Sequence, residues 1–70
     1  MRKLNEEELK EYFIKVDDAK FRNPDWRLGQ VYFNVLTGWY ADIADELRGG
    51  DFDPFFDNSK IDKFINEITE

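Results

Sequence analysis

The string Asp51-Phe52-Asp53-Pro54-Phe55-Phe56-Asp57, with Asp62 beyond it, is the one stretch of this 70-residue chain whose spacing resembles a metal loop. It places aspartates at positions 1, 3, 7 and 12 of a calcium loop. The loop chemistry then fails at three points. Position 5 is Phe55, position 6 is Phe56 where the sharp turn needs glycine, and position 12 is Asp62 rather than a bidentate glutamate. The plainer reading is that Phe52, Phe55 and Phe56 tuck under the fold while the aspartates cap turns in water. A second candidate is the carboxylate pair Asp42 and Asp45. Proton transfer by such a pair needs burial to move a pKa, and both acids lie on the outer side of a short predicted helix. Ser59 is the only serine and falls at a predicted helix cap. The chain has no histidine and no cysteine, so the commonest acid–base group and the best nucleophile are both missing. The expectation is therefore no enzyme, no cofactor and no metal.

What remains is chemistry of recognition. Trp39 and Tyr40 follow a predicted helix end, where side chains are easily left in water, and Asp42, Asp45 and Glu46 come directly after them. Aromatics beside acids suit interface anchors. These five residues form the candidate partner-binding surface, although closing the core is an equal use for the two aromatics. Arg27, Gln30, Asn34 and Thr37 stand three to four residues apart as a polar stripe on an otherwise apolar helix. Such a stripe serves either to contact a partner or to hold the turn at residues 49–53, with Asn34 or Gln30 bonding its backbone and Arg27 pairing with Asp53. Buried backbone groups need partners, which favours the structural use.

The charge distribution narrows the partner class. Residues 1–27 carry seven Lys/Arg against seven Asp/Glu, whereas residues 28–70 carry three against nine, so the net charge of −6 lies in the second part. A field of that sign repels phosphate backbones, and direct nucleic-acid binding is not expected. The absence of cysteine fits a reducing compartment. No apolar run approaches the roughly 20 residues needed to span a bilayer, and the charged N-terminus lacks the apolar segment of a signal peptide. A cytoplasmic protein without membrane association is expected.

The elements that must position these residues are all helical. Seventy residues allow a single domain, 1–70. Such a small domain buries only about 60% of its unfolded surface, and this chain compensates with 17% aromatic residues. A first helix over about 5–21 starts from an Asn5/Glu8 capping box and a Leu4/Leu9 staple, with Leu9, Tyr12, Phe13, Val16 and Ala19 or Lys20 as its inner stripe. Asn23-Pro24 predicts an N-cap and first turn for a second helix over 24–37. That helix is apolar on two faces, which makes it central. Gly29 inside it implies close approach of another element, and Gly38 is the expected stop. A short helix over 41–48 buries Ile43, Ala44 and Leu47 and ends at Gly49-Gly50. Asp57 or Asn58 caps a last helix over 58–69 bearing Ile61, Phe64, Ile65 and Ile68. The expected fold class is all-α: a small compact bundle of three longer helices plus one short helix.

The pattern W-R-x-G-Q-x-x-F-N-x-L from Trp26 to Leu36, with R-G-x-D-x-D-P-F from Arg48 to Phe55, resembles a group of short uncharacterised bacterial and phage proteins. The likeness spans roughly residues 24–66. In that group a proline commonly stands where this chain has Ala41, which implies a helix break there; without it, a continuous helix from Pro24 to Arg48 is the alternative. The resemblance carries no activity, and its phage association implies a small protein that modulates a host protein. The leading expectation is thus a non-enzymatic interaction module that binds a larger protein through Trp39, Tyr40, Asp42, Asp45 and Glu46. The alternatives are an acidic mimic of nucleic acid that blocks a DNA- or RNA-handling enzyme, and a self-associating structural component.

Overall fold

The computed structural model describes residues 1–70 as four helices and no sheet. Helix α1 (Glu6–Arg22) opens on the capping box read from the sequence. The Asn5 side chain accepts the Glu8 N–H at 2.9 Å, and the Glu8 carboxylate accepts the Asn5 N–H at 3.1 Å. Three acids in the first turn complement the helix dipole. Tyr12 and Val16 are buried, with Leu9, Phe13 and Ala19 packed around them. The outer face carries the spaced pairs Glu6–Lys10 at 3.7 Å, Glu11–Lys15 at 3.8 Å and Asp18–Arg22 at 2.9 Å. Exposed pairs of this kind add only a few tenths of a kcal/mol each.

Helix α2 (Leu28–Trp39) starts four residues later than Pro24 suggests. Asn23 closes α1 instead of opening α2: its backbone N–H and its side-chain amide both donate to Ala19 O, at 2.9 and 3.0 Å. The Lys20 ammonium then gathers the carbonyls of Pro24 and Trp26, and the Trp26 N–H turns back to Asn23 O. Those carbonyls are committed outside any helix. The first donors of α2 have no local side-chain cap; the Gly29 N–H is accepted at 2.8 Å by Asn58, from the far end of the chain.

The end of α2 also departs from expectation. Gly38 lies inside the helix and is exposed; the break falls on Tyr40, with φ −139° and ψ 60°. Tyr40 donates its N–H to Leu36 O at 2.7 Å, and its carbonyl accepts from both Ile43 and Ala44 at 3.1 Å. One residue thus ends α2 and starts α3 (Ala41–Leu47), so no continuous helix runs through. Ile43, Ala44 and Leu47 are buried as the pattern requires.

Gly49 adopts φ +77° past the end of α3, a conformation that favours glycine. Asp53 then organises the loop by itself, accepting the Gly49 N–H at 2.8 Å and the Phe55 N–H at 2.9 Å. Pro54 is fully buried. It lies beneath Gly29, where an added Cβ would stand 2.0 Å from the Pro54 carbonyl oxygen. Of the three loop phenylalanines only Phe55 turns inward, edge-on to Phe33 at 6.5 Å; Phe52 is 36% and Phe56 83% exposed. Phe55 takes the inward place beside Phe33, and Phe56 packs edge-on against Phe55 at 4.7 Å from the solvent side.

A 3-10 turn (Asn58–Lys60), capped by Asp57 through the Ser59 N–H at 2.9 Å, leads into α4 (Ile61–Ile68). Asp57 therefore caps as expected, but the α-helix itself begins at Ile61. Phe64 and Ile68 complete a core cluster of 12 buried residues drawn from all four helices and Leu4. The chain ends clasp one another in a parallel bridge, with the Leu4 N–H on Ile68 O at 2.7 Å and the Glu70 N–H on Leu4 O at 3.0 Å. No helix is long and apolar enough to cross a membrane.

Candidate interaction surface

Trp39 ends α2 and is 64% exposed, with the Lys15 ammonium 4.5 Å from its ring centroid. It forms one wall of an open groove of about 550 Å³ between α1 and α2. Trp26, Ile14, Ala19, Val35 and Gly38 line the rest of its apolar surface. Nothing lies within 4 Å of the position a Gly38 Cβ would take. This groove was not legible in the sequence, because its walls come from α1, α2 and the segment between them and meet only in the fold.

Tyr40 is half-buried at the α2–α3 corner, and its neighbouring acids are less bare than their sequence suggests. Arg2 reaches across from the N-terminus to Asp42 with two hydrogen bonds, at 3.0 and 3.1 Å. The same guanidinium lies 3.5 Å from Glu8 and 5.4 Å from the Tyr40 ring centroid. Asp45 pairs with Arg48 at 2.6 Å. Arg48 in turn donates to the Thr37 hydroxyl at 3.3 Å and sits over Phe33. Glu46 is exposed and makes no ion pair. Desolvation raises the Tyr40 phenol above its ordinary range, with Glu8 and Glu11 adding to the effect.

The Arg2 hydrogen bond holds the Asp42 carboxyl below the usual aspartate range, and the Ser59 hydroxyl and N–H do the same for Asp57. For a carboxyl lowered in the folded state, the linked stability is present above the unfolded value, about 3.9. It is lost as pH falls through the folded value. A carboxyl NMR titration is expected to place both midpoints below about 3.9, with the Ser59 amide shift following Asp57. A midpoint at or above that value would contradict the observed geometry.

The polar stripe serves the structure only in part. Arg27 does not pair with Asp53; it donates to Phe55 O at 3.0 Å and lies over the Phe55 and Phe56 rings. Thr37 bonds back to Phe33 O at 3.0 Å. Neither Gln30 nor Asn34 bonds the 49–53 turn. Asp53 itself holds that turn, and Asn58, a residue the sequence offered only as a local cap, ties the loop that follows to α2 through the Gly29 N–H. Asn34 instead lines both the α1/α2 groove and a smaller cavity of about 270 Å³ beside Phe33, Arg48 and Phe55. Asp51, Asp53, Asp57 and Asp62 do not converge on a common point, and no group of three or more acidic side chains is arranged to hold a metal ion. Tyr12, the most deeply placed phenol, donates to Tyr32 O at 2.6 Å, and burial holds its pKa far above the ordinary value.

No protein-family model matches the chain, and no curated protein or solved structure matches it.

Proposed function

We propose that this protein is a small, non-enzymatic, cytoplasmic interaction module that binds a larger protein through the corner formed by Trp39, Tyr40, Asp42, Asp45 and Glu46. The observation that carries the reading is Trp39: a tryptophan 64% in water, whereas the chain's other tryptophan, Trp26, packs against the core. Binding hot spots are enriched in such rings buried in a partner's pocket. Glu46 supplies an exposed charge free of ion pairs on α3, while Asp42 and Asp45 exchange their arginines for cations of the partner. The resemblance to short bacterial and phage proteins agrees with a host protein as that partner.

The nucleic-acid mimic is the weaker alternative. Arg2 and Arg48 neutralise two of the three acids at this corner, and a mimic needs an unbroken acidic face. The deciding experiment is affinity capture from bacterial lysate with three baits: the wild-type protein, Trp39→Ala, and Asp42→Lys/Asp45→Lys/Glu46→Lys. A partner held by the wild type is expected to bind Trp39→Ala roughly thirty-fold more weakly, the equivalent of about 2 kcal/mol. It should be lost from the charge-reversed bait while the helical circular dichroism is unchanged. Equal capture by all three baits would remove this corner from consideration.

A further inference from the structure

We infer that the outer face of α1 is a docking surface for a second copy of this chain, paired antiparallel about a two-fold axis between Val16 and Asp17. The first observation is exposed apolar area in one stripe. Ile14 is 68% and Phe21 86% exposed, and seven residues apart they project from the same side of the helix. Neither packs against the core cluster, and Ile14 also forms the lip of the α1/α2 groove.

The second observation is the order of charges along that face. Glu11, Lys15, Asp18 and Arg22 alternate in sign at spacings of four, three and four residues. Their positions are symmetric about the point midway between Val16 and Asp17. An antiparallel second copy on that axis therefore sets Glu11 opposite Arg22 of its mate and Lys15 opposite Asp18, each pair twice. The same axis brings Ile14 of each copy within one turn of Phe21 of the other, so the exposed rings and branches cover one another. A parallel or shifted pairing loses this charge match.

The third observation explains why two chains of net charge −6 would meet here. The excess of acid lies entirely in residues 28–70; residues 1–27, which include α1, are balanced. The α1 face is where two copies repel least. The interface is isologous, as a two-fold contact requires. The α1/α2 groove opens along one flank of it, so Trp39 stands near both the second copy and the proposed partner surface.

The test uses two exposed substitutions, Glu11→Lys and Arg22→Glu, neither of which touches the core, Trp39 or α3. Sedimentation equilibrium over a concentration series is expected to show the wild type passing from 8.4 kDa to twice that mass. Each variant alone opposes like charges at both crossed pairs and is expected to stay monomeric. An equimolar mixture restores opposite charges at both pairs and is expected to recover the doubled mass, as a heterodimer. Ile14→Glu should also be monomeric, with unchanged circular dichroism. A wild type that remains monomeric to millimolar concentration overturns the proposal, as does a mixture no more associated than its components. Neither result bears on capture of a different protein through Trp39 and Glu46.

Discussion

Gly29→Ala is expected to remove a large fraction of this domain's stability. The added methyl would stand 2.0 Å from the Pro54 carbonyl oxygen, 3.0 Å from its carbon and 3.1 Å from the Asn58 side-chain oxygen. Two of these are backbone atoms and cannot swing aside. Relief requires the 53–58 loop to lift from α2, which opens the Gly29 N–H to Asn58 bond of 2.8 Å and brings buried Pro54 into water. Overpacking of this kind costs about 3 kcal/mol, against a total of about 4–10 kcal/mol for a chain of this size. Gly38→Ala is the matched control. It lies in the same helix, but a methyl there meets nothing within 4 Å, so it should stabilise by up to about 1 kcal/mol. With a urea slope near 1 kcal/mol/M, the midpoint should fall by about 3 M in the first variant and rise by up to about 1 M in the second. Equal shifts in the two variants would mean that Gly29 is not keyed to Pro54.

Phe64→Ala should be of similar severity, for a different reason. Phe64 is fully buried and meets Tyr32 at 6.4 Å and Phe33 at 6.3 Å, one edge-on and the other tilted. Through these rings α4 is fastened to the central helix. Truncation leaves a cavity that so small a core cannot refill, at a cost of about 3–5 kcal/mol. Phe56→Ala removes an equal ring that is 83% exposed and should change stability by less than about 0.5 kcal/mol. On thermal unfolding the first should lower Tm by roughly 15 °C or more and the second by under about 4 °C. Comparable losses would show that the loop phenylalanines close the core after all.

The contrast between those two phenylalanines marks what the sequence could reveal. Interactions closed within a turn or two were legible. The Asn5–Glu8 capping box, the Tyr12/Val16 stripe and the Ile43/Ala44/Leu47 face all follow from local spacing. So did the close approach at Gly29, because a glycine in a helix demands a reason. Features that depend on distant partners were not. Helix α2 begins at Leu28 because Lys20 holds the carbonyls before it and Asn58, 29 residues on, supplies the missing acceptor. Pro24 alone carries no sign of either. Gly38 reads as a stop by residue type, yet the chain breaks at Tyr40, where α3 must fold back to bury Ile43. The candidate surface was legible in residue type but not in electrostatics. Arg2, forty positions away, covers Asp42, and the α1/α2 groove exists only once both helices are placed.

The most direct test of the account is photo-crosslinking in living bacteria, with a benzoyl-phenylalanine placed at position 39 or, as control, at exposed position 63. The expected result is a discrete covalent adduct from position 39, heavier than two copies of this chain and lost when Asp42, Asp45 and Glu46 are reversed to lysine. Position 63 should not give that adduct. Identical adducts from both positions, or none from position 39, would contradict the claim that this corner is where the protein acts.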